Sequence, residues 1–135
     1  MPDPEEVLRT KKTYALIGAT QDMLKYSYEL FFTMLDHNYT VYPINPRYES
    51  IEDRRCYPSL AHLPEKPEVV IVTLSPLNAE NVLNQIAEQG IRTVWFPPGS
   101  CSEAVLERAQ AFGLEIIHNV CPIGTLRRMD EGGTR

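Results

Sequence analysis

An apolar run that ends in a glycine near the start of the chain constrains the fold more than any other feature. Residues 14–20 read Tyr-Ala-Leu-Ile-Gly-Ala-Thr, and an apolar-periodic segment follows after a short polar connection. This order predicts a β-strand that turns at Gly18 and leads into an α-helix. In α/β proteins such a turn directs backbone N–H groups towards a bound phosphate, so the pattern indicates a nucleotide-binding domain.

Apolar runs and helical patterns alternate along the rest of the chain. Strands are predicted over residues 13–18, 40–45, 68–74, 91–96 and 114–117, with a short edge strand over 55–57. Helices are predicted between them and over residues 2–10, with a helical turn at 59–63. This alternation predicts the α/β class. Right-handed crossovers favour a doubly wound, mostly parallel sheet of five or six strands with helices on both faces.

The predicted helices carry local signals. In the helix over residues 25–38, the i, i+3, i+4, i+7 spacing predicts burial of Tyr28, Phe31, Phe32 and Leu35. Ser75 followed by Pro76 is typical of an N-cap and a first helical residue. Ser100 with Glu103 resembles a capping box at the start of the next helix. The side chains expected to be buried in that helix are Val105, Ala109 and Phe112.

Length and composition bound the class of protein. The 135 residues suit a single domain, with a core at about 12–127 and a flexible tail at about 129–135. A net charge of −5 argues against a nonspecific nucleic-acid binder. No signal-peptide pattern is visible, and no apolar run reaches the ~20 residues of a membrane span. Three widely spaced cysteines, Cys56, Cys101 and Cys121, indicate reduced thiols and a cytoplasmic protein.

A ligand cleft is expected where the strands end. In doubly wound sheets it lies at the point where the winding direction reverses, here between the strands over residues 13–18 and 68–74. The glycine-rich pattern of dinucleotide-binding turns is absent, because a single glycine stands in the first turn. The loops that would meet at the cleft begin at Gly18, Asn45, Ser75 and Pro97.

The segment after the second strand argues against NAD. An NAD site needs Asp or Glu there to accept hydrogen bonds from the ribose hydroxyls. This chain has Asn45 and Arg47 instead, and a guanidinium matches the oxygens of a phosphate. A phosphorylated ribose occurs in NADP and in coenzyme A. A solvated arginine after the Pro46 turn is the alternative that these residues leave open.

Several short segments occur in the order found in one known family. They are residues 14–20, Ser27-Tyr28, residues 39–47, residues 55–60, residues 90–95 and Cys121. The most specific are Asn45-Pro46-Arg47 and the stretch Cys-Tyr-Pro-Ser-Leu at 56–60. In these segments the chain resembles the small single-domain CoA-binding proteins, relatives of the nucleotide-binding domain of the succinyl-CoA synthetase α subunit. The resemblance covers residues 12 to 127, approximately.

The resemblance implies a Rossmann-like domain that binds coenzyme A at the carboxyl ends of its strands. The phosphates would contact Gly18, Ala19 and Thr20, with Lys25 and Ser27 beside them. The adenosine would contact Asn45, Pro46 and Arg47, and the ligand would be bordered by Ser75 and Pro76. The expected partner is therefore a small nucleotide ligand, whereas a nucleic acid or a membrane is not expected. A homodimer or another protein partner stays open.

Catalysis finds little support in the sequence. His118 stands three residues before Cys121, and on an extended chain this spacing turns the two side chains to opposite faces. No catalytic residue is therefore assigned, and the cysteines and histidines lack the spacing of a metal site. The interpretation is non-catalytic binding of coenzyme A or an acyl-CoA. The alternatives are an NADP- or other nucleotide-dependent enzyme and a nucleotide-free interaction protein that retains the fold.

Overall fold

The structure, a computed structural model, describes residues 1–132. The strands are β1 (Thr13–Ile17), β2 (Thr40–Ile44), β3 (Ser50–Ile51), β4 (Arg54–Arg55), β5 (Val69–Val72), β6 (Thr93–Phe96) and β7 (Glu115–His118). The helices are α1 (Pro4–Thr10), α2 (Tyr26–Asp36), α3 (Pro76–Glu88), α4 (Glu103–Ala111) and α5 (Pro122–Gly132), and a 3-10 turn spans Leu60–His62. None of these helices is both long and apolar enough to cross a membrane.

Five strands form one parallel sheet in the order β2-β1-β5-β6-β7. This arrangement confirms the predicted Rossmann-like α/β fold, with the most hydrophobic strand, β5, at its centre. The predicted edge strand over residues 55–57 does not become a sixth strand of the sheet. Instead β4 pairs with β3 in a separate antiparallel hairpin, and Tyr57 makes an isolated bridge with Ile44.

Helices cover both faces of the sheet, as predicted. The core on one face includes side chains of α1, α2 and α5, and the core on the other face includes side chains of α3 and α4. Trp95 of β6 is fully buried, as expected for a core residue, and its indole N–H donates to the Val120 carbonyl at 2.8 Å. Leu8 and Met129 are also buried, so the core reaches beyond residues 12–127.

The buried face of α2 is rotated from the predicted one. Of the four side chains expected to be buried, Phe31 is, whereas Tyr28, Phe32 and Leu35 are only partly buried. The Tyr28 hydroxyl explains the rotation in part, because it donates to the Glu52 carboxylate of the β3–β4 turn at 2.6 Å, at the protein surface. The residues that α2 buries are Ser27, Leu30, Phe31 and Met34.

The start of α4 differs from the predicted capping box. The N-cap is Ser102, whose hydroxyl accepts a hydrogen bond from the Val105 backbone N–H at 3.2 Å. Ser100 lies two residues earlier and is buried. Val105 and Ala109 are buried as predicted, but Phe112 is exposed because it is the C-cap, past the last helical residue.

The prediction of a flexible tail is wrong for residues 129–132, which belong to α5. This helix buries Leu126 and Met129 against α1 and α2. Its last turn is also joined to the end of α2, because the His37 Nε2 atom lies 2.9 Å from the Asp130 carboxylate. Residues 133–135, the remainder of the predicted tail, lie outside the described residues.

Candidate functional site

A cavity of about 980 Å³ opens at the carboxyl ends of the strands, where the winding reverses between β1 and β5. All four predicted loops contribute to it, the last through residues 98–100. Pro76 does not line the cavity, because it stands outside as the first residue of α3. The predicted site residues that do line it are Gly18, Ala19, Thr20, Lys25, Ser27, Asn45, Pro46, Arg47 and Ser75. Their contact with a ligand stays a prediction.

The turn after β1 is packed directly against the end of β5. Gly18 has φ +95°, and a Cβ at this position would lie 2.7 Å from the Thr73 Oγ1 and 3.0 Å from the Thr73 carbonyl oxygen. The N–H groups of Gly18 and Ala19 both donate to the Ile44 carbonyl, at 3.1 and 3.3 Å. These two groups are therefore engaged with β2, so a phosphate would have to be bound by groups further along the loop.

The helices that begin at the cavity lack side-chain caps within the described residues. Lys25 at the N-cap of α2 and Ser75 at the N-cap of α3 make no side-chain hydrogen bond to the helix backbone. In contrast, α1 is capped by Asp3 and α4 by Ser102. The first N–H groups of a helix have no partner inside the helix and carry its positive dipole end. The amino termini of α2 and α3 both lie at the cavity, and together they form a suitable environment for an anion.

Ser27 has a buried side chain that stabilises the turn after β1. Its side chain is buried, and its hydroxyl donates to the Gly18 carbonyl at 2.9 Å. The Thr73 hydroxyl lies 3.1 Å from the Ser27 oxygen and donates to the Ile17 carbonyl at 2.9 Å. Because the Ser27 proton is already used, we assign this residue first to positioning the turn. A direct contact between its hydroxyl and a ligand stays a prediction.

Asn45 joins the first two loops of the site. Its side-chain NH₂ donates to the Ala19 carbonyl at 2.8 Å, and its side-chain oxygen accepts from the Arg47 N–H at 2.9 Å. The buried Cys56 thiol lies 3.7 Å from the Asn45 carbonyl oxygen, and burial raises the pKa of this thiol. Asn45 therefore sets the conformation of the segment that presents Arg47.

We expect Asn45→Ala to destabilise the protein by about 1–2 kcal/mol, because the part-buried Ala19 carbonyl and the exposed Arg47 N–H both lose their hydrogen-bond partner. The measurement is the free energy of unfolding from urea denaturation. Asn84→Ala is the matched control, because Asn84 is an exposed residue of α3 whose side chain donates a hydrogen bond to Glu88. Equal unfolding free energies for the two variants would contradict the bridging role of Asn45.

Two exposed cations stand at the cavity. The side chains of Lys25 and Arg47 make no ion pair or hydrogen bond with any described residue, and both line the cavity. A carboxylate, Asp22, also lines the cavity and accepts a hydrogen bond from the Leu24 N–H at 3.0 Å. The two cations are thus available to pair with an anionic ligand.

The sequence analysis did not assign part of the cavity wall. Pro58, Ser59 and Leu60 line one side of it, and Asn78, Val82 and Gln85 line the other. The second group follows the i, i+4, i+7 spacing on α3, so helical periodicity measured from Ser75 could have found it. The first group has no periodic signal, but it belongs to the segment 56–60 that carries part of the family resemblance, and that segment could have pointed to it.

No histidine or cysteine of the described chain lines the cavity. Cys121 instead contacts Tyr26 of the cavity wall, with 3.1 Å between the sulfur and the phenol oxygen. The pKa of the Tyr26 phenol is raised, mainly by burial and to a smaller extent by this contact with Cys121. Burial also raises the pKa of the Cys101 thiol. The Tyr26 phenol and the Cys101 thiol are therefore protonated at neutral pH. Residues 1–132 contain no cluster of acidic, histidine or cysteine side chains that could bind a metal.

Fold and cavity together define a doubly wound α/β protein with a ligand cleft at its switch point. The sequence model of the family described as CoA binding domain matches residues 12–126. The chain therefore belongs to this CoA-binding domain family.

Similar proteins include both short chains and long enzymes. A solved structure of a hypothetical protein from Pyrococcus horikoshii OT3 has a TM-score of 0.88 at 32% identity, over 93% of this chain and 89% of that one. An ADP-forming acetate–CoA ligase from Methanocaldococcus jannaschii is 25% identical in an alignment of 118 positions that covers 82% of this chain. The α subunit of such a ligase from Pyrococcus furiosus is also 25% identical, over 79% of this chain. The chain spans only 17% and 26% of the lengths of these two ligases.

Proposed function

We propose that the protein binds coenzyme A or an acyl-CoA in this cavity and does not itself catalyse a reaction. The observation that carries the proposal is the pair of uncapped helix amino termini, of α2 and α3, at one cavity. An anion between them would accept from free N–H groups and would lie at the positive ends of two helix dipoles. The pyrophosphate of coenzyme A is such an anion. Membership of the CoA-binding domain family favours the same ligand.

The positions of the charges favour one orientation of the ligand. Arg47 lies after β2, at one edge of the sheet, and its unpaired guanidinium would bind the 3′-phosphate of the ribose. The pyrophosphate would lie over the turn after β1, within reach of Lys25. Because β5 follows β1 in the sheet order, the pantetheine would extend towards Ser75 and residues 98–100.

The non-catalytic part of the proposal rests on what lines the cavity. Its ionisable side chains within the described residues are Asp22, Lys25, Tyr26, Arg47 and Tyr48, and none of them pairs with another as nucleophile and base. The Ser59 hydroxyl of the lining lies 2.7 Å from the Nδ1 atom of His62, but this imidazole is exposed and no carboxylate of residues 1–132 is hydrogen-bonded to it, so the pair lacks the third group that orients a catalytic base. Ligase activity is not proposed, because the matching region is a small fraction of the ligases. The three cysteines are free thiols, which supports a cytoplasmic location.

A thermal-denaturation comparison tests the proposal. Coenzyme A, dephospho-CoA, NADP and NAD are each added to the full chain over a concentration series. At 100 times its Kd, a ligand that binds only the folded state should stabilise it by about 2.7 kcal/mol. We expect coenzyme A to raise Tm most and dephospho-CoA to raise it less. A larger shift with NADP would favour a nucleotide-dependent enzyme, and no shift with any ligand would favour an interaction protein.

A further inference from the structure

Exposed apolar side chains are concentrated at the entrance of the cavity. Six large hydrophobic residues are exposed within residues 1–132, and four of them belong to two segments that border the cleft. Met23 and Leu24 lie on the connection from β1 to α2, Tyr26 is the first residue of α2, and Leu77 lies in the first turn of α3. Single exposed apolar residues are ordinary, but a group beside a ligand cleft indicates a binding surface. We call these four residues the apolar rim.

The loop that carries the first part of the apolar rim has a defined conformation. The Asp22 N–H donates to the Thr20 hydroxyl at 3.1 Å, and the Leu24 N–H donates to the Asp22 carboxylate at 3.0 Å. The Gln21 side chain also donates to the Ser50 carbonyl at 2.8 Å, which attaches the loop to the β3–β4 hairpin. These hydrogen bonds hold the backbone of the loop at Leu24, and this residue is 96% exposed.

The apolar rim lies on the two segments that follow the adjacent strands β1 and β5, and Leu77 is its residue on the side where the reactive end of coenzyme A would emerge. This step rests on the proposed function, in which the phosphorylated ribose is bound at Arg47 and the pantetheine extends towards Ser75. Leu77 is two residues beyond Ser75, and the lining beside it includes the apolar Leu74 and Val82. An acyl group on the thiol of the pantetheine would therefore leave the cavity next to apolar surface.

We propose that the apolar rim binds the hydrocarbon chain of an acyl-CoA, so that the protein selects thioesters of medium-length acyl chains over coenzyme A and acetyl-CoA. Such a chain is continuous with the ligand inside the cavity and would cover exposed apolar side chains. The gain in affinity comes from apolar area removed from water, on both the chain and the rim.

Isothermal titration of the full chain with coenzyme A, acetyl-CoA and octanoyl-CoA tests this proposal. Octanoyl-CoA adds six methylene groups to acetyl-CoA and stays monomeric at micromolar concentration. We expect it to bind about tenfold more tightly than acetyl-CoA, because the chain is covered on one side only and each methylene contributes a part of its full transfer free energy. If all three compounds fail to bind, the proposed function is wrong. If they bind with equal affinity, the proposed function stands and the role of the apolar rim is wrong.

A double variant, Leu24→Ser with Leu77→Ser, shows whether the apolar rim is the surface that contacts the chain. Both residues are exposed, at 96% and 72%, so the fold does not depend on them. The readout is the ratio of the acetyl-CoA and octanoyl-CoA dissociation constants within each variant. We expect this ratio to fall from about ten to about two in the double variant. Phe112→Ser, which removes an exposed phenyl ring beyond the far end of α4, is the matched control and should keep the original ratio. An unchanged ratio in the double variant would overturn the proposal.

Discussion

Arg47→Ala is expected to weaken coenzyme A binding by about 10- to 150-fold, which corresponds to about 1.5–3 kcal/mol. The guanidinium is exposed at the cavity and has no ion pair or side-chain hydrogen bond within residues 1–132, so it is free to bind a phosphate with two parallel hydrogen bonds. For the same reason its removal should leave the free energy of unfolding unchanged. Isothermal titration measures the first quantity, and urea denaturation measures the second.

Dephospho-CoA identifies the group that Arg47 contacts. If the partner is the 3′-phosphate, the variant and the unmodified protein should bind dephospho-CoA equally. Arg92→Ala is the matched control, because Arg92 is an exposed arginine just before β6, at the opposite end of the strands. Lys25→Ala should lose less affinity than Arg47→Ala, since an ammonium is a flexible point charge. Equal coenzyme A affinity in Arg47→Ala and Arg92→Ala would remove Arg47 from the site.

The sheet and the position of the cleft could be predicted because they follow from strong patterns. Residues 69–72 are apolar at every position, which fits only a strand covered on both faces, and β5 is indeed central. The predicted strand order puts the reversal of the winding direction between β1 and β5. In doubly wound sheets the ligand cleft lies at that point, beyond the carboxyl ends of the strands. The loops that begin at Gly18 and Asn45 then had to meet there.

The hydrogen bonds inside the site could not be predicted. The N–H groups of Gly18 and Ala19 point to the Ile44 carbonyl, and the Ser27 hydroxyl points back to Gly18. Each contact joins segments that are distant in sequence, and the geometry of neighbouring strands determines which of the loop N–H groups remain free. The family resemblance implied ligand contacts for these residues but did not contain their internal hydrogen bonds, and the ligand contacts stay predictions.

The helix α5 could not be predicted for a different reason. Its sequence contains Gly124 and ends at Gly132, and glycine lowers helix propensity by about 1 kcal/mol per residue. The helix is stabilised by tertiary packing, since Leu126 and Met129 are buried against α1 and α2. A pattern of local propensities does not contain this contribution.

Gly18→Ala is expected to have the largest effect on stability, a loss of about 3 kcal/mol or more. The φ of +95° is strained for any residue with a Cβ, which costs about 1–3 kcal/mol. The new methyl group would also lie 2.7 Å from the Thr73 hydroxyl and 3.0 Å from the Thr73 carbonyl oxygen. The hydroxyl can only move by breaking its contacts with Ile17 and Ser27, and overpacking of this kind costs a further ~1–3 kcal/mol.

Gly99→Ala separates the two contributions. Gly99 has nearly the same φ, +96°, but a Cβ there would have no neighbouring atom within 4 Å. This control should therefore lose only the part of the stability that backbone strain removes, about 1–3 kcal/mol. Urea denaturation of both variants, with unchanged slopes, gives the difference that belongs to the contact between β1 and β5. If the two variants are equally stable, the close approach of the Gly18 turn to Thr73 does not constrain this position, and backbone conformation alone explains the glycine.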